Sequence, residues 1–331
     1  MKKTIIINFL IIFLFFLFAE TSVRVLNLVE LQGSDKKIYY IENGIIQNKS
    51  NSIFKVFGKK SKTDNNGFRI PNKQFSYNQN KNFTLILGDS VTFGVGVEEE
   101  ESYVGILRKK KQENLLNTAI IGHNIKSYSY ILEKNYKIFN KKIDKVIIFL
   151  CLNDIVSYQG VKSKKNLDNS KVEKSFIEYY LKNDFLLKVN FFLREKSAFF
   201  VLLKSVVTNP VKRHYEYMDV LYENEENLIL FQSYINKIIQ FSKYNNLDVE
   251  FVLLPYTYQV INNCKNELLR PQNEIKKIFA SLNFKLNDYT KNFCNNVKNK
   301  DLFLPYDPVH LSKYGHQHVS NLIIEKNILD K

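Results

Sequence analysis

The segment FTLILGDS, residues 83–90, contains both a strand and a reactive side chain. Its first five residues form a short apolar run that is typical of a buried β-strand. A glycine turn follows at once and carries Asp89 and Ser90. A Gly-Asp-Ser turn is a weak signal on its own. In an open parallel sheet, however, ligands bind at the carboxyl ends of the strands, and this position favours a nucleophilic serine.

Downstream of this segment, short apolar runs alternate with helical stretches. Strands are predicted near 115–121, at 146–152 and 248–254, and more weakly at 284–286, and helices at 102–111, 127–139 and 313–326. The run VIIFLCL at 146–152 has no polar face, as expected of a strand that is covered on both sides. Alternating strand and helix units predict an α/β fold with a mainly parallel sheet and helices on both faces.

A second candidate for chemistry lies at the far end of the chain. The sequence Asp307-Pro308-Val309-His310 comes just before the last predicted helix. Serine needs a base to become nucleophilic at neutral pH, and histidine is suited to take its proton. A carboxylate that accepts the other ring N–H holds the imidazole in one tautomer. A D-x-x-H turn supplies both groups from one loop, so we expect Ser90, Asp307 and His310 to form a catalytic unit.

Acyl transfer also requires hydrogen-bond donors for the oxyanion. Asn153 follows the predicted strand at 146–152, and its side-chain amide is therefore expected at the carboxyl edge of the sheet. Gly122 follows the strand near 115–121, where a backbone N–H can approach a substrate without a Cβ in the way. Three successive strands thus each bring one candidate group to the same edge.

These four blocks, in this order, resemble the SGNH (GDSL-type) hydrolase family over about residues 81–327. They read Gly88-Asp89-Ser90, the Gly122 turn, Cys151-Leu152-Asn153-Asp154, and Asp307 to His310. The resemblance implies a three-layer α/β/α sandwich of the flavodoxin-like type, with about five parallel strands. It also implies a Ser90–His310–Asp307 triad, with an oxyanion hole formed by the Ser90 and Gly122 N–H groups and the Asn153 side chain. It implies neither a cofactor nor a metal.

One block departs from the pattern of the family. Cys151 stands where the third block usually has glycine, in a position that is not an oxyanion donor. Asp154 belongs to the same block and is expected to have a structural role. Upstream, Asn66-Gly67-Phe68-Arg69 is similar to a segment often found before the nucleophile in membrane-anchored members.

The N-terminus forms a separate piece. Lys2 and Lys3 precede a nearly unbroken apolar run from Ile5 to Ala19, which is typical of a signal peptide or an uncleaved anchor. Cleavage after Ala19 would place Leu17 at a position that prefers a small residue. We therefore favour an uncleaved signal anchor, with the lysines in the cytoplasm and the rest of the chain outside, in the periplasm or at the cell surface.

This interpretation divides the chain into an anchor at 1–28, a polar stalk and entry segment at 29–80, and a hydrolase domain at 81–331. A helical insertion is expected at about 156–240. Within it, the apolar run 185–207 is broken by charges, which argues against a second membrane span. Two placements remain open for this run, against the sheet or on the membrane surface, and we favour the first.

Composition excludes several classes of protein. The fractions of apolar and aromatic residues, 45% and 14%, exclude a disordered chain, and three cysteines without a C-x-x-C motif exclude a four-thiolate zinc site. The net charge of +15 comes mostly from scattered lysines without an aromatic-interleaved basic motif, so we expect no nucleic-acid partner. Cys264 and Cys294 are candidates for a disulfide outside the cytoplasm, a pairing that the sequence leaves open.

The expected function is that of a membrane-anchored serine esterase acting on O-acyl, and especially O-acetyl, esters through an acyl-serine intermediate. An acylated envelope glycan is the expected kind of substrate. Two alternatives remain. One is an O-acyltransferase for a cell-surface polysaccharide, which would need a membrane partner to supply the acyl group. The other is a non-catalytic carbohydrate-binding or assembly protein on the same fold.

Overall fold

A computed structural model describes residues 2–35, 38–78, 80–111, 114–139, 142–156 and 184–329. The described helices are α1 (Lys2–Val25), α2 (Ser90–Phe93), α3 (Tyr103–Lys111), α4 (Ile125–Ile138), α5 (Asp184–Lys196), α6 (Ala198–Thr208), α7 (Pro210–Leu221), α8 (Glu225–Tyr244), α9 (Thr257–Ile261), α10 (Arg270–Ser281), α11 (Thr290–Cys294) and α12 (Lys313–Glu325). The described strands are β1 (Tyr39–Glu42), β2 (Ile45–Asn48), β3 (Ile53–Val56), β4 (Lys59–Thr63), β5 (Arg69–Ile70), β6 (Phe83–Leu87), β7 (Leu115–Asn117), β8 (Ile143–Leu150), β9 (Asp248–Leu253) and β10 (Asn287–Asp288).

The central sheet has the order β10-β9-β8-β6-β7-β5-β4-β3. The five strands from β10 to β7 are all parallel, which confirms the predicted parallel core. Numbered along the chain, these five strands follow the order 2-1-3-4-5 of flavodoxin-like sheets. In such sheets the ligand site lies at the switch point, which here is the gap between the carboxyl ends of β6 and β8.

Both faces of the sheet are covered. Every residue of β6 is buried, and so is all of β8 apart from one partly exposed residue. Helix α3 packs with α12, and α4 packs with α8, so that helices enclose the strands. This arrangement confirms the predicted α/β/α sandwich. It also explains why β6 and β8 read as continuous apolar runs rather than alternating ones.

Residues 29–80 differ from the irregular stalk expected from the sequence. Strands β3, β4 and β5 extend the sheet in antiparallel fashion beyond β7, and β1 pairs with β2 in a separate hairpin. The sequence of β4, KKSKT, shows why this strand could not be predicted. Its inward side chains are Ser61 and Thr63, which are small and polar and give no hydrophobic alternation.

Two boundaries also differ. The last parallel strand is β10, which lies just after the predicted 284–286. Phe284 and Leu286 instead pack, partly buried, against the core. Strand β8 begins at Ile143, three residues earlier than predicted, because Ile143 is also buried in the sheet.

Helix α1 is joined to the rest of the chain through α6. Carboxylate oxygens of Glu20 accept hydrogen bonds from the Ala198 and Phe199 N–H groups, each at 2.9 Å, so Glu20 caps the start of α6. The rings of Phe15 and Phe16 lie edge-on to Phe199. The apolar contacts of α6 are thus made with α1, in a cluster separate from the core of the sheet, which differs from the favoured placement. Residues 157–183 of the expected insertion lie outside the described residues.

The two cysteines outside the sheet are paired. Cys264 and Cys294 form a disulfide with their Cα atoms 6.0 Å apart, which closes a loop of the chain that contains α10. Cys151 is a free, buried cysteine. Structural disulfides persist mainly in oxidising compartments.

Candidate active site

Ser90 lies where β6 turns into α2. Asp89 caps the helix, since its Oδ1 accepts the Val91 N–H at 2.9 Å, and Gly94 ends it in a left-handed conformation. A Cβ at Gly88 would come 1.9 Å from Thr92 Oγ1, so only glycine allows the chain to turn this sharply. The Ser90 N–H is in the first turn of α2, where backbone N–H groups lack partners within the helix.

A buried arginine binds the backbone that follows this turn. The Arg69 guanidinium donates hydrogen bonds to the carbonyl oxygens of Phe93, Gly94 and Val97, and it stacks on the Phe93 ring. Burial lowers the pKa of Arg69 to about 10, which still leaves it charged at neutral pH. The segment 66–69 noted in the sequence therefore holds the loop that follows Ser90.

The structure brings Ser90 together with Asp307 and His310, which follow it by 217 and 220 residues in the sequence. His310 Nε2 lies 3.0 Å from Ser90 Oγ, and His310 Nδ1 lies 2.8 Å from Asp307 Oδ2. The other carboxylate oxygen of Asp307 accepts the N–H groups of Val309 and His310 at 2.9 and 2.7 Å. These four hydrogen bonds fix the carboxylate, the imidazole and the hydroxyl in one line.

Charge coupling within the pair sets both pKa values. Burial alone would raise the pKa of Asp307, but the adjacent His310 and the two backbone N–H groups outweigh it and lower the pKa. Burial alone would lower the pKa of His310, but the charge and hydrogen bond of Asp307 outweigh it and raise the pKa. Asp307 is thus ionised, and its negative charge stabilises the protonated imidazole that forms when His310 acts as the general base.

Asn153 lies at the carboxyl end of β8, next to the nucleophile turn. Its Nδ2 donates to Asp89 Oδ2 at 2.7 Å, and its Oδ1 accepts the Tyr256 hydroxyl at 2.6 Å. Both ends of the amide are therefore held, and one N–H of Nδ2 is left for a ligand. Tyr256 is not among the site residues predicted from the sequence, although its position just after strand β9 places it at the same edge as the other residues.

Gly122 lies in the turn between β7 and α4, with a φ of +85° that favours glycine. The Ile120 N–H donates to the Gly88 carbonyl oxygen at 3.4 Å, which ties this turn to the nucleophile loop. Gly122 is exposed, and among the described residues no acceptor is found for its N–H. It is thus available to a ligand at this edge of the sheet.

Asp154, the neighbour of Asn153, faces the interior. Its carboxylate accepts the Tyr128 hydroxyl at 2.5 Å and the Cys151 N–H at 2.7 Å. Burial raises the pKa values of Asp154 and of the Cys151 thiol. These contacts fix the turn that presents Asn153.

A cavity of about 390 Å³ opens beside His310. Its walls come from the His310 loop, from α6 and α7, and from Phe57 in the β3–β4 turn, whose ring lies edge-on to His310. Neither Phe57 nor the helical wall is among the site residues predicted from the sequence. Among the described residues, no group of three or more His, Cys, Asp or Glu side chains could hold a metal.

No family model matches the sequence, and no curated protein matches it. Solved structures that it matches include the psychrotrophic esterase EstA from Pseudoalteromonas sp., at 16% identity over 76% of this chain and 100% of that chain, with a TM-score of 0.41. A member of the lipolytic protein G-D-S-L family from Veillonella parvula DSM 2008 matches at 13% identity, over 73% and 96% of the two chains, with a TM-score of 0.37. The acetylxylan esterase Axe2 from Geobacillus stearothermophilus matches at 15%, over 74% and 93%, with a TM-score of 0.40.

Proposed function

We propose that this protein is a serine esterase of the SGNH type, anchored in a membrane, that cleaves O-acyl esters through an acyl-serine intermediate. The hydrogen-bonded line from Asp307 through His310 to Ser90 carries the proposal, because this arrangement makes a serine hydroxyl nucleophilic. The position of the line at the switch point of the sheet is also that of a ligand site rather than a packing site.

Each residue then has a distinct task. His310 Nε2 takes the Ser90 proton as Oγ attacks the acyl carbon. The N–H groups of Ser90 and Gly122 and the Asn153 amide stabilise the oxyanion of the tetrahedral intermediate. His310 next returns the proton to the leaving alcohol, and an acyl-serine remains. Water, activated by the same imidazole, releases the acid and restores Ser90.

A covalent probe of the nucleophile tests this function. A fluorophosphonate should add its mass to the peptide that carries Ser90 when it reacts with the detergent-solubilised full-length chain. The adduct should be absent from Ser90→Ala and retained in Ser205→Ala, which removes a hydroxyl that lines the cavity beside His310. A wild-type chain that neither reacts with the probe nor hydrolyses acetyl esters would instead favour a non-catalytic binding protein.

The anchor part of the proposal is supported by α1. This helix of 24 residues spans about 36 Å at 1.5 Å per residue, which is enough to cross a bilayer core of about 30 Å. Its apolar side chains from Ile5 to Phe18 are exposed apart from contacts such as those with Phe199. Removal of the first 19 residues would also abolish the contacts of Phe15 and Phe16 with α6. The disulfide agrees with a domain outside the cytoplasm.

A reporter fusion checks the topology. Alkaline phosphatase fused after Lys331 should be active, and the full-length chain should remain in the membrane fraction with an intact N-terminus. The physical reason is that Lys2 and Lys3 are retained on the cytoplasmic side while α1 spans the bilayer. A silent reporter, or a mature N-terminus near Glu20, would contradict the proposal.

A further inference from the structure

The cavity beside His310 contains an unusual concentration of positive charge. Arg194 at the end of α5, Lys204 on α6 and Arg213 on α7 all line it. The one carboxylate among its lining residues, Asp307, is already bound to His310. Three separate helices thus each bring one cation to a single cleft at the triad.

None of these cations forms an ion pair among the described residues, and the one carboxylate whose charge reaches Arg194 is Asp307. The Arg194 Nε–H donates to Gln32 Oε1 at 2.9 Å, and Lys204 Nζ donates to Asn190 Oδ1 at 2.7 Å, so both are held by neutral side chains. Burial and the nearby charges of Arg194 and Arg213 lower the pKa of Lys204 to about 8. Like charges repel when they are crowded in this way, and a bound anion would relieve that repulsion.

The position of the cavity shows which part of an ester it would receive. His310 lines the cavity, whereas Ser90, Gly122 and Asn153 are not among its lining residues. The carbonyl oxygen of the ester must face the oxyanion donors. The alcohol oxygen must face His310 Nε2, which protonates it as the alcohol leaves. The cavity therefore lies on the side of the alcohol.

We propose that Arg194, Lys204 and Arg213 bind an anionic group, a carboxylate or a phosphate, on the alcohol portion of the ester, so that the preferred substrates are acyl esters of acidic molecules. This inference rests on the proposed esterase function and deepens it. Guanidinium and ammonium groups are suited to both anions, which share oxygen acceptors and negative charge. The anion would align the ester oxygen with His310.

Paired synthetic esters provide the test. The full-length chain in detergent is assayed with 3-acetoxybenzoate, with its neutral counterpart 3-acetoxybenzamide, and with the cationic 3-acetoxy-N,N,N-trimethylanilinium. We expect kcat/KM to fall in that order. In Lys204→Gln/Arg213→Gln, kcat/KM for the benzoate should fall by roughly tenfold, mostly through KM, while the value for the benzamide stays unchanged. Inorganic phosphate should inhibit the wild-type enzyme competitively, and the double variant more weakly.

Lys212→Gln is the matched control. Lys212 precedes Arg213 on the same helix and is exposed like it, but it pairs with Glu216 and does not line the cavity, so this change should leave the ratio of benzoate to benzamide unaltered. Equal rates for the three esters, or a ratio that Lys212→Gln lowers as much as the double variant, would overturn the inference and leave the esterase standing. If the wild-type protein hydrolysed none of the three esters, the proposed esterase function itself would be contradicted.

Discussion

Replacing Ser90 and His310 together should lower kcat/KM no further than replacing either one alone. We expect Ser90→Ala, His310→Ala and the double variant each to lose roughly 10⁴-fold or more on a neutral acetyl ester. The reason is the 3.0 Å contact between Ser90 Oγ and His310 Nε2, through which a single proton passes. Once either group is lost, the other has no partner for the proton transfer. Steady-state kinetics of the three variants measure this directly.

Two further variants sharpen the result. Asp307→Asn should cost one to two orders of magnitude less than His310→Ala, because the imidazole remains but loses its orienting carboxylate. His318→Ala should keep the wild-type rate, since that half-buried histidine contacts Phe293 and Asn296 rather than the triad. Independent, multiplicative losses for Ser90 and His310 would show that they do not form one unit.

The pH profile follows from the same contacts. The neutral imidazole is the active base, so kcat/KM should rise with pH through the pKa of His310. Asp307 raises that pKa, and the rise should therefore be centred above 6.5. Asp307→Asn removes the charge that raises it, so its profile should shift to lower pH. A shift to higher pH in that variant would contradict the assigned role of Asp307.

The parallel core could be predicted because it is built on the strongest local signal that a sequence offers. Strands β6 and β8 are covered on both faces, and continuous apolar runs have few other interpretations. The site residues were predictable for a related reason. A parallel sheet brings its carboxyl ends to one edge, so residues that follow different strands are neighbours whatever their separation in sequence.

The cleft could not be predicted, because its walls depend on contacts between distant segments. Phe57 reaches His310 from the turn of a hairpin in which the buried side chains of one strand, β4, are polar, so the pairing of β3 with β4 has no hydrophobic alternation to reveal it in the sequence. Arg194, Lys204 and Arg213 are on three different helices, and no periodic pattern links them. Only the three-dimensional arrangement, in which α5, α6 and α7 line one cavity beside His310, shows that their charges converge.

Asn153→Ala should lower kcat by about a hundredfold to a thousandfold on a neutral acetyl ester, with little change in KM. The amide is aimed before the substrate arrives, because Asp89 holds its Nδ2 and Tyr256 holds its Oδ1. A donor fixed in this way stabilises the transition state most, because the carbonyl oxygen becomes an anion there. It stabilises the bound ground-state ester little. A loss confined to KM would move Asn153 from the oxyanion hole to substrate binding.

Tyr256→Phe distinguishes a positioned amide from one that is merely present. This variant keeps the buried ring, which stacks on His214 with the ring centroids 5.5 Å apart, but it removes the O–H that donates to Asn153. We expect kcat to fall roughly tenfold, because the amide can then rotate away from the oxyanion. The same change in an Asn153→Ala background should have almost no further effect, since Tyr256 acts only through that amide. An additional tenfold loss in the double variant would mean that Tyr256 contacts the substrate itself.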